Sequence, residues 1–394
     1  MGHWTILLLP IRLPCMARSG FCQAKRFTSS KTPMSLDAKS DEYDELNQMY
    51  SDMFSETSSN AARDQSVLSE IDELNFEFNA FTNLSISCLN SSQLQNIVSQ
   101  AGRFVMHSTS NNPFYNLALE SYIFKHTPHS KKRKNHNERL LFYINDKSVV
   151  IGKNQTIWRE LFVEQCKRQG YQIIRRMSGG GAVVHDLGNV NYSFLTSRDN
   201  FKREFFNRLI ADTLKDHEPS AEVSLSSRGD ILFETQKVSG SAYKVAGGKA
   251  YHHGTMLVSA NIRGFSGLLK PDQIAEEIWE GGSVESVRSR ITNIGDRVVK
   301  SPQEFIFLCT QAFRKFFGGE IPEFWCNEKE STNDEIVSTV DLLMSQDWIY
   351  NSGPKFTLKL PSGEFVIEKG IVVSSTSKEY LHRPFWSIAP TLVK

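Results

Sequence analysis

The chemistry-bearing residues of this chain concentrate in two stretches. One is Arg175-Arg176-Met177-Ser178-Gly179-Gly180-Gly181-Ala182-Val183-Val184-His185-Asp186, and the other is Lys237-Val238-Ser239-Gly240-Ser241-Ala242-Tyr243-Lys244. Consecutive glycines beside a serine and two arginines let backbone N–H groups approach an anion or a carbonyl where a Cβ would obstruct. A lysine followed by small residues places one mobile positive charge at a close-approach surface. Together they point to a pocket that activates a carboxylate and hands its acyl group on. The phosphate motifs of other folds are missing. The glycine run has no Gly-Lys-Ser/Thr ending, and no G-x-G-x-x-G opens a helix after a strand.

Each of these residues also has a plainer reading. A glycine run between strands is most often only a turn. Lys237 taken alone reads as a solvated loop charge, Asp230 beside Gly229 as a turn residue, and His185 as the cap of a hairpin loop. Turn chemistry does not account for an arginine pair on one side of the glycines and His185-Asp186 on the other. His252-His253 resembles a metal pair, but neighbours on a strand point to opposite faces and do not share an ion. That pair reads as structural or substrate-bordering.

The elements that must position these residues follow from periodicity. Residues 171–175 predict a strand entering the glycine loop, and 190–195 alternate like a strand leaving it. Helices are expected over 117–125 after Asn112-Pro113, over 158–169 ending at Gly170, and over 201–215, 271–279 and 302–317. Residues 140–144 and 148–151 read as a hairpin across Asn145-Asp146, and 231–234 with 236–239 as another around Thr235. Residues 250–259 and 364–374 each read as a strand. The order reads as α+β and fits a mixed sheet with helices packed on one face.

The two stretches resemble the signature segments of the lipoate–protein ligase A family, relatives of the biotin protein ligases. The family pattern R-R-x-S-G-G-G-A-V-x-H-D-x-G-N is matched at every fixed position from Arg175 to Asn189, and K-[VI]-S-G-S-A from Lys237 to Ala242. Three more segments follow in the family's order: Asn112-Pro113-Phe114-Tyr115-Asn116-Leu117-Ala118-Leu119-Glu120, Val150-Ile151-Gly152-Lys153-Asn154-Gln155 and Ser286-Val287-Arg288-Ser289-Arg290-Ile291-Thr292-Asn293. The likeness runs over residues 104–318 and thins out beyond.

The resemblance implies a reaction. Family members join lipoic or octanoic acid to a lysine amine of a carrier domain through an acyl-adenylate, since a free carboxylate needs a leaving group such as AMP. Lys237 matches the catalytic lysine that contacts the acyl carbonyl and the α-phosphate, where its charge favours the developing negative charge. Asp230 matches an acidic residue near the nucleotide and Mg²⁺, although Gly229 stands where the family usually has Asn. Arg175, Arg176, Ser178, Gly179, Gly180 and Gly181 match the loop that closes over the acyl carboxylate. Gly181, Ala182 and Val183 match nucleotide-bordering positions, and His185 the histidine that borders the acyl pocket. Arg288 and Arg290 read by themselves as a solvated strand face, and the resemblance implies a shaping role for them. The implied small molecules are ATP, Mg²⁺ and lipoic acid, with no tightly bound prosthetic group. The implied partners are lipoyl carrier domains, namely dehydrogenase E2 subunits and the glycine cleavage H protein.

Cysteine usage separates the chain from a neighbouring chemistry. Some related octanoyltransferases pass the acyl group through a cysteine thioester. Here the cysteines are Cys15, Cys22, Cys88, Cys166, Cys309 and Cys326, and none lies between Lys167 and Leu308. No zinc-type spacing or disulfide framework appears.

Composition sets the outer bounds. With 394 residues and 40% hydrophobic content the chain can bury a large core, and a net charge of +1 gives no case for nucleic-acid binding. Residues 1–36 hold no Asp or Glu but carry Arg12, Arg18, Lys25, Arg26 and Lys31, the pattern of a mitochondrial presequence for the matrix. Residues 37–100 turn acidic and Ser/Asn-rich and read as a mobile extension, with one helical stretch at 67–81. The basic run 129–134 reads as a solvated loop. Residues 101–318 form the ligase-like catalytic domain and 319–394 a shortened accessory lobe, without the final helices of the long ligases.

Three functions fit this sequence. One is ATP-dependent lipoate–protein ligation. Another is an ATP-independent acyltransferase that moves octanoyl or lipoyl from CoA or a lipoylated donor protein. The third is a non-catalytic assembly factor, against which the intact Lys237, Asp230 and Ser-Gly-Gly-Gly loop argue.

Overall fold

Asn90 opens the first described helix, α1 (Ser91–Ser99), by a reciprocal cap: its side chain accepts from the Gln93 backbone, and the Gln93 side chain accepts from the Asn90 backbone. The computed structural model describes residues 87–129 and 136–393. The presequence-like segment, the expected helix at 67–81 and most of the basic run lie outside these residues. Helix α1 buries Leu94 and Val98, so core packing begins inside the segment expected to be an extension.

Strand β1 (Phe104–Ser108) leads to α2 (Pro113–His126), whose start is fixed by the Asn112 side chain and by proline at the first turn. Then come β2 (Arg139–Ile144), β3 (Ser148–Ile151), α3 (Ile157–Glu160), α4 (Val163–Arg168), β4 (Gln172–Arg175), β5 (Val183–His185) and β6 (Asn189–Ser197). The middle of the chain forms α5 (Phe205–His217), β7 (Val223–Leu225), β8 (Ile231–Phe233), β9 (Gln236–Lys237), β10 (Ser239–Ala246), β11 (Lys249–Leu257) and β12 (Ile278–Gly281). The remainder gives α6 (Pro302–Phe317), β13 (Glu323–Cys326), α7 (Asp334–Met344), β14 (Phe356–Leu360), β15 (Gly363–Glu368), β16 (Ile371–Ser375) and α8 (Phe385–Leu392).

A six-stranded mixed sheet, ordered β10-β11-β6-β2-β1-β13, is antiparallel from β10 to β2 and parallel from β2 to β13. Alternation along its strands puts Val105, Leu140, Phe142 and Phe194 on one face, against Phe206 and Ile210 of α5 and Phe305 and Phe313 of α6. Phe104, Met106, Leu141 and Tyr143 take the other face, against Leu119 and Ile123 of α2. Helices therefore cover both faces, not one as the sequence suggested. The central strands are apolar on both sides, and each side needs a cover. The fold is α+β with a mixed sheet, as expected.

A second sheet, β4-β3-β5, stands beside α2. Val150 and Ile174 share the α2 core, while Val149, Ile151 and Ile173 pack with Phe356, Leu358, Phe365 and Phe385 of the C-terminal segments. Those segments form a third sheet, β12-β14-β15-β16, capped by α8. Because β12 comes from before residue 318 and β14 from after it, packing is continuous across the boundary drawn at 318/319.

Four expected elements differ. The 140–144 and 148–151 strands do not form a hairpin but enter different sheets. Their link is held elsewhere: Asn145 is buried and bonded to Asn116 and His185, and Asp146 N donates to Asn111 O. The helix at 158–169 breaks in two because Phe162 N donates to Leu268 O. No helix forms over 271–279. Glu276 has φ +73, and residues 278–281 extend to pair with β14. The final strand, read as continuous, is the hairpin β15–β16, turning at Lys369 and Gly370 (φ +48 and +75). A further helix, α8, follows it.

Two histidines are sealed inside this packing, His185 on β5 and His252 on β11, 3% and 1% exposed. Burial lowers both pKa values to about 3, aided by the charge of Arg176 and by His253 at His185, and by His253 at His252. The unfolded chain takes up these protons below about pH 6.5, and the folded chain only near pH 3. Stability is then complete above pH 6.5 and falls as pH drops through that window. Urea titrations should show about 1 kcal/mol lost per histidine between about pH 7.5 and about pH 5.5, and His252→Asn should reduce the loss. An unchanged pH dependence in the variant would contradict the assignment.

Candidate functional site

Between the large and small sheets lies a cavity of about 310 Å³, within the roughly 300–1,000 Å³ typical of small-molecule sites. Leu117, Tyr143, Val150 and His185 line its buried end, and Arg228, Glu285 and Val287 lie on its exposed rim. One end is therefore apolar and enclosed and the other polar and open.

The glycine loop forms one wall. Arg176 lies beneath it with Nη2 donating to the carbonyls of Gly179 (2.6 Å) and Gly181 (2.8 Å), Nη1 to Val150 O (3.1 Å) and Nε to Ser178 Oγ (3.0 Å). Gly180 has φ +91, and a Cβ there would stand 2.9 Å from Arg176 Nη2, so both backbone and space demand glycine. Burial lowers the Arg176 pKa only to about 10, and the group stays cationic at neutral pH. Gly180, Gly181, Ala182, Val183 and His185 line the cavity with it.

Arg175 does not reach this space. Neighbours on a strand point to opposite sides, and its guanidinium donates to the carbonyls of Gly152, Lys153, Gln155, Trp348 and Ile349. Trp348 Nε1 returns a bond to Arg175 O (2.7 Å). The acyl contact implied for Arg175 is thus replaced by a clamp between β4 and the C-terminal segments. Ser178 and Gly179 also lie behind the lining. Ser178 Oγ bonds His253 Nε2 (2.8 Å), whose Nδ1 bonds Glu120 (3.0 Å). Burial opposes ionisation of Glu120, but the charge and hydrogen bond of His253 outweigh it and hold the carboxyl below its usual range.

The β8–β9 hairpin forms as expected and presents Lys237 at the polar end. Lys237 N donates to Arg290 O (2.9 Å), and its carbonyl accepts from Thr292 N (3.1 Å). Its Nζ stands 2.8 Å from Asp230 Oδ2. The Asp230 turn is fixed from below: Asn207 Nδ2 donates to Gly229 O (2.7 Å) and Ser241 Oγ (3.0 Å), and Tyr192 OH donates to Asn207 Oδ1 (2.5 Å). Gly229 has φ +80, a conformation Asn also tolerates, so the departure from the family pattern leaves the turn intact. A part-exposed ion pair of this kind contributes little to stability. It holds a cation ready to move onto an arriving anion.

Ser286 pins the rim. Its Oγ accepts from Ala182 N (2.7 Å) and Gln155 Nε2 (3.0 Å) and donates to Glu160. Ser286, Gln155, Glu120 and Asn145 were given no role in the sequence reading. The first three lie in the segments shared with the family, which was the available signal. Among the described residues no group of three or more His, Cys, Asp or Glu could hold a metal. None of the described cysteines lines the cavity, and Cys166 is buried with its thiol pushed up to about 11 by burial.

Comparison with known proteins agrees with this arrangement. Residues 112–314 match the family described as the lipoyl protein ligase A/B catalytic domain. A Saccharomyces cerevisiae protein provisionally named lipoate-protein ligase A is 44% identical over 351 residues, 84% of this chain and 85% of its own. Lipoate-protein ligase LplJ of Bacillus subtilis is 34% identical over 65% of this chain and 75% of its own. The crystal structure of P. falciparum LipL1 in complex with lipoate superposes with a TM-score of 0.54 at 28% identity, covering 69% of this chain and 83% of that one. With the glycine loop, the Lys237–Asp230 pair and the two-sheet cavity in place, the chain belongs to the lipoate–protein ligase family and is an enzyme of it.

Proposed function

We propose that the chain attaches lipoyl groups to a lysine of lipoyl carrier domains, activating lipoate with ATP and then transferring the acyl group. The observation that carries this reading is the cavity itself, apolar at its buried end with the Asp230-paired Lys237 at its open one. An acyl chain fits the apolar end and leaves its carboxylate beside Lys237. A side recess of about 240 Å³, lined by Arg228, Lys237, Arg290 and Ser289, opens next to Asp230 and suits a triphosphate. Asp230 and Glu285 are the carboxylates on the cavity wall. Mg²⁺ is commonly held by one or two carboxylates plus phosphate oxygens, so Asp230 would hold it there and the ion would offset phosphate charge.

In the first step the lipoate carboxylate attacks the α-phosphorus, forming lipoyl-AMP and releasing pyrophosphate. Lys237 Nζ leaves Asp230 to meet the negative charge that grows on the α-phosphate and acyl oxygens. In the second step the neutral carrier amine attacks the acyl carbon, Lys237 faces the oxyanion, and AMP departs as the amide forms, with the amine's surplus proton passing to solvent. The Arg176 cation under the glycine loop lends the wall a fixed positive field. The carriers assigned to this activity are dehydrogenase E2 subunits and the glycine cleavage H protein. The basic, acid-free composition of residues 1–36 supports a mitochondrial matrix location.

The deciding assay gives the chain lacking residues 1–36 ATP, Mg²⁺ and lipoate, and adds an apo carrier domain afterwards. Lipoate-dependent pyrophosphate followed by carrier lipoylation is expected, with both lost in Lys237→Ala at an unchanged melting temperature. No pyrophosphate, together with transfer from octanoyl-CoA or a lipoylated donor, would replace ligation by acyl exchange. For location, full-length protein should enter mitochondria and the truncated form should stay in the cytosol. Import of the truncated form would refute the presequence.

A further inference from the structure

His185 carries a buried polar atom without a partner, in a residue that forms part of the cavity wall. On β5 the side chains of Val183 and His185 take the cavity face, whereas Val184 packs into the opposite core. A chain of hydrogen bonds fixes the ring. Ser108 Oγ donates to Asn116 Oδ1 (2.6 Å), and Asn116 Nδ2 donates to Ser110 O and to Asn145 Oδ1 (2.9 Å each). Asn145 must then turn its own Nδ2 toward His185 Nδ1, 3.0 Å away. An amide nitrogen only donates, so Nδ1 accepts and the ring proton sits on Nε2. Burial, with the charges of Arg176 and His253, lowers the pKa of the ring to about 3 and keeps it a neutral donor.

That Nε2–H meets no acceptor among the described residues. Ser148, directly across on β3, also leaves its Oγ unpartnered. The rest of this end is formed by Leu117, Tyr143 and Val150. A buried donor left unpaired is unfavourable, and a ligand that satisfies it gains accordingly. A saturated acyl tail offers it nothing, whereas a thioether-like or disulfide sulfur is a weak acceptor. Apolar contacts alone separate two such tails poorly, but a site that holds a hydrogen-bonding group rejects the analogue that lacks the partner.

Resting on the lipoyl-transfer reading above, we propose that His185 determines acyl specificity, its Nε2–H donating to a sulfur at the distal end of the chain so that a dithiolane-bearing acid is selected over a plain saturated one. Asn145 and Asn116 are its positioning residues, since they set the tautomer. Isothermal titration of the full chain with lipoic acid and with octanoic acid reads this directly. The wild-type chain should favour lipoic acid by roughly tenfold, and His185→Leu should bring the ratio close to one by weakening lipoate and strengthening octanoate. If His185 only packs, both affinities move together, the ratio holds, and the inference is overturned. Should the variant fail to fold, ¹⁵N-histidine labelling of the wild-type chain gives the same answer. The Nε2-bound proton should shift with lipoic acid and not with octanoic acid, while equal shifts, or a proton on Nδ1, would refute the donor. Binding of neither acid by the wild-type chain would bring down the acyl-cavity reading and this inference with it, whereas binding of both with an unmoved ratio removes the inference alone.

Discussion

Two adjacent guanidinium groups, buried on opposite sides of one strand end, hold the parts of this enzyme together. Arg175 gathers carbonyls from the Gly152–Gln155 turn and from Trp348 and Ile349, while Arg176 gathers those of Gly179, Gly181 and Val150. Burial depresses both pKa values to about 10, so each remains charged at neutral pH. Removing such a cation from water is costly unless its donors are satisfied. Each is met by carbonyl oxygens that converge from the surrounding loops. The glycine loop takes its shape from one cation, and the C-terminal segments take their position from the other. Arg to Lys is not a conservative change at either position, because an ammonium cannot span those carbonyls as a planar fork does.

The chemistry sits where that arrangement leaves space. On one side of the cavity the loop, with Arg176 behind it, is shaped before a ligand arrives. On the other, Lys237 rests on Asp230 and can be drawn away by an anion. A fixed cation and a movable one serve different ends. The first sets a constant field, and the second follows charge as it develops, which is the condition for stabilising a transition state more than a ground state. The Asn207, Tyr192 and Ser241 network beneath the Asp230 turn keeps the pair's starting geometry narrow.

The sequence was most legible where chemistry and backbone geometry coincide. The glycine loop, the hairpin that carries Lys237 and helix 302–317 could be read, because glycine spacing, turn residues and apolar periodicity are local signals, whereas the roles of Lys237 and Asp230 came only from the family resemblance. The roles of Arg175 and Ser178 could not be read, since alternation on a strand says which residues differ in direction but not which face is the pocket. The hairpin expected across Asn145-Asp146 failed because Asn145 is recruited into a buried network with Asn116 and His185, a tertiary demand invisible to a turn motif. The helix expected at 271–279 lost to strand pairing with residues 356–359, about eighty positions away (Trp279 with Leu358, for example). One-faced helix packing was likewise a fold-level guess that burial on both faces of the central strands overruled.

The central claim is that the cavity between the sheets is an acyl site with its reactive end at Lys237. A crystal structure of the chain with lipoic acid tests it most directly. The account predicts the carboxylate within hydrogen-bonding reach of Lys237 Nζ, the hydrocarbon running past Val150 and Tyr143, and the ring at the enclosed end. Lipoic acid bound in the reverse direction, or outside this cavity altogether, would contradict it.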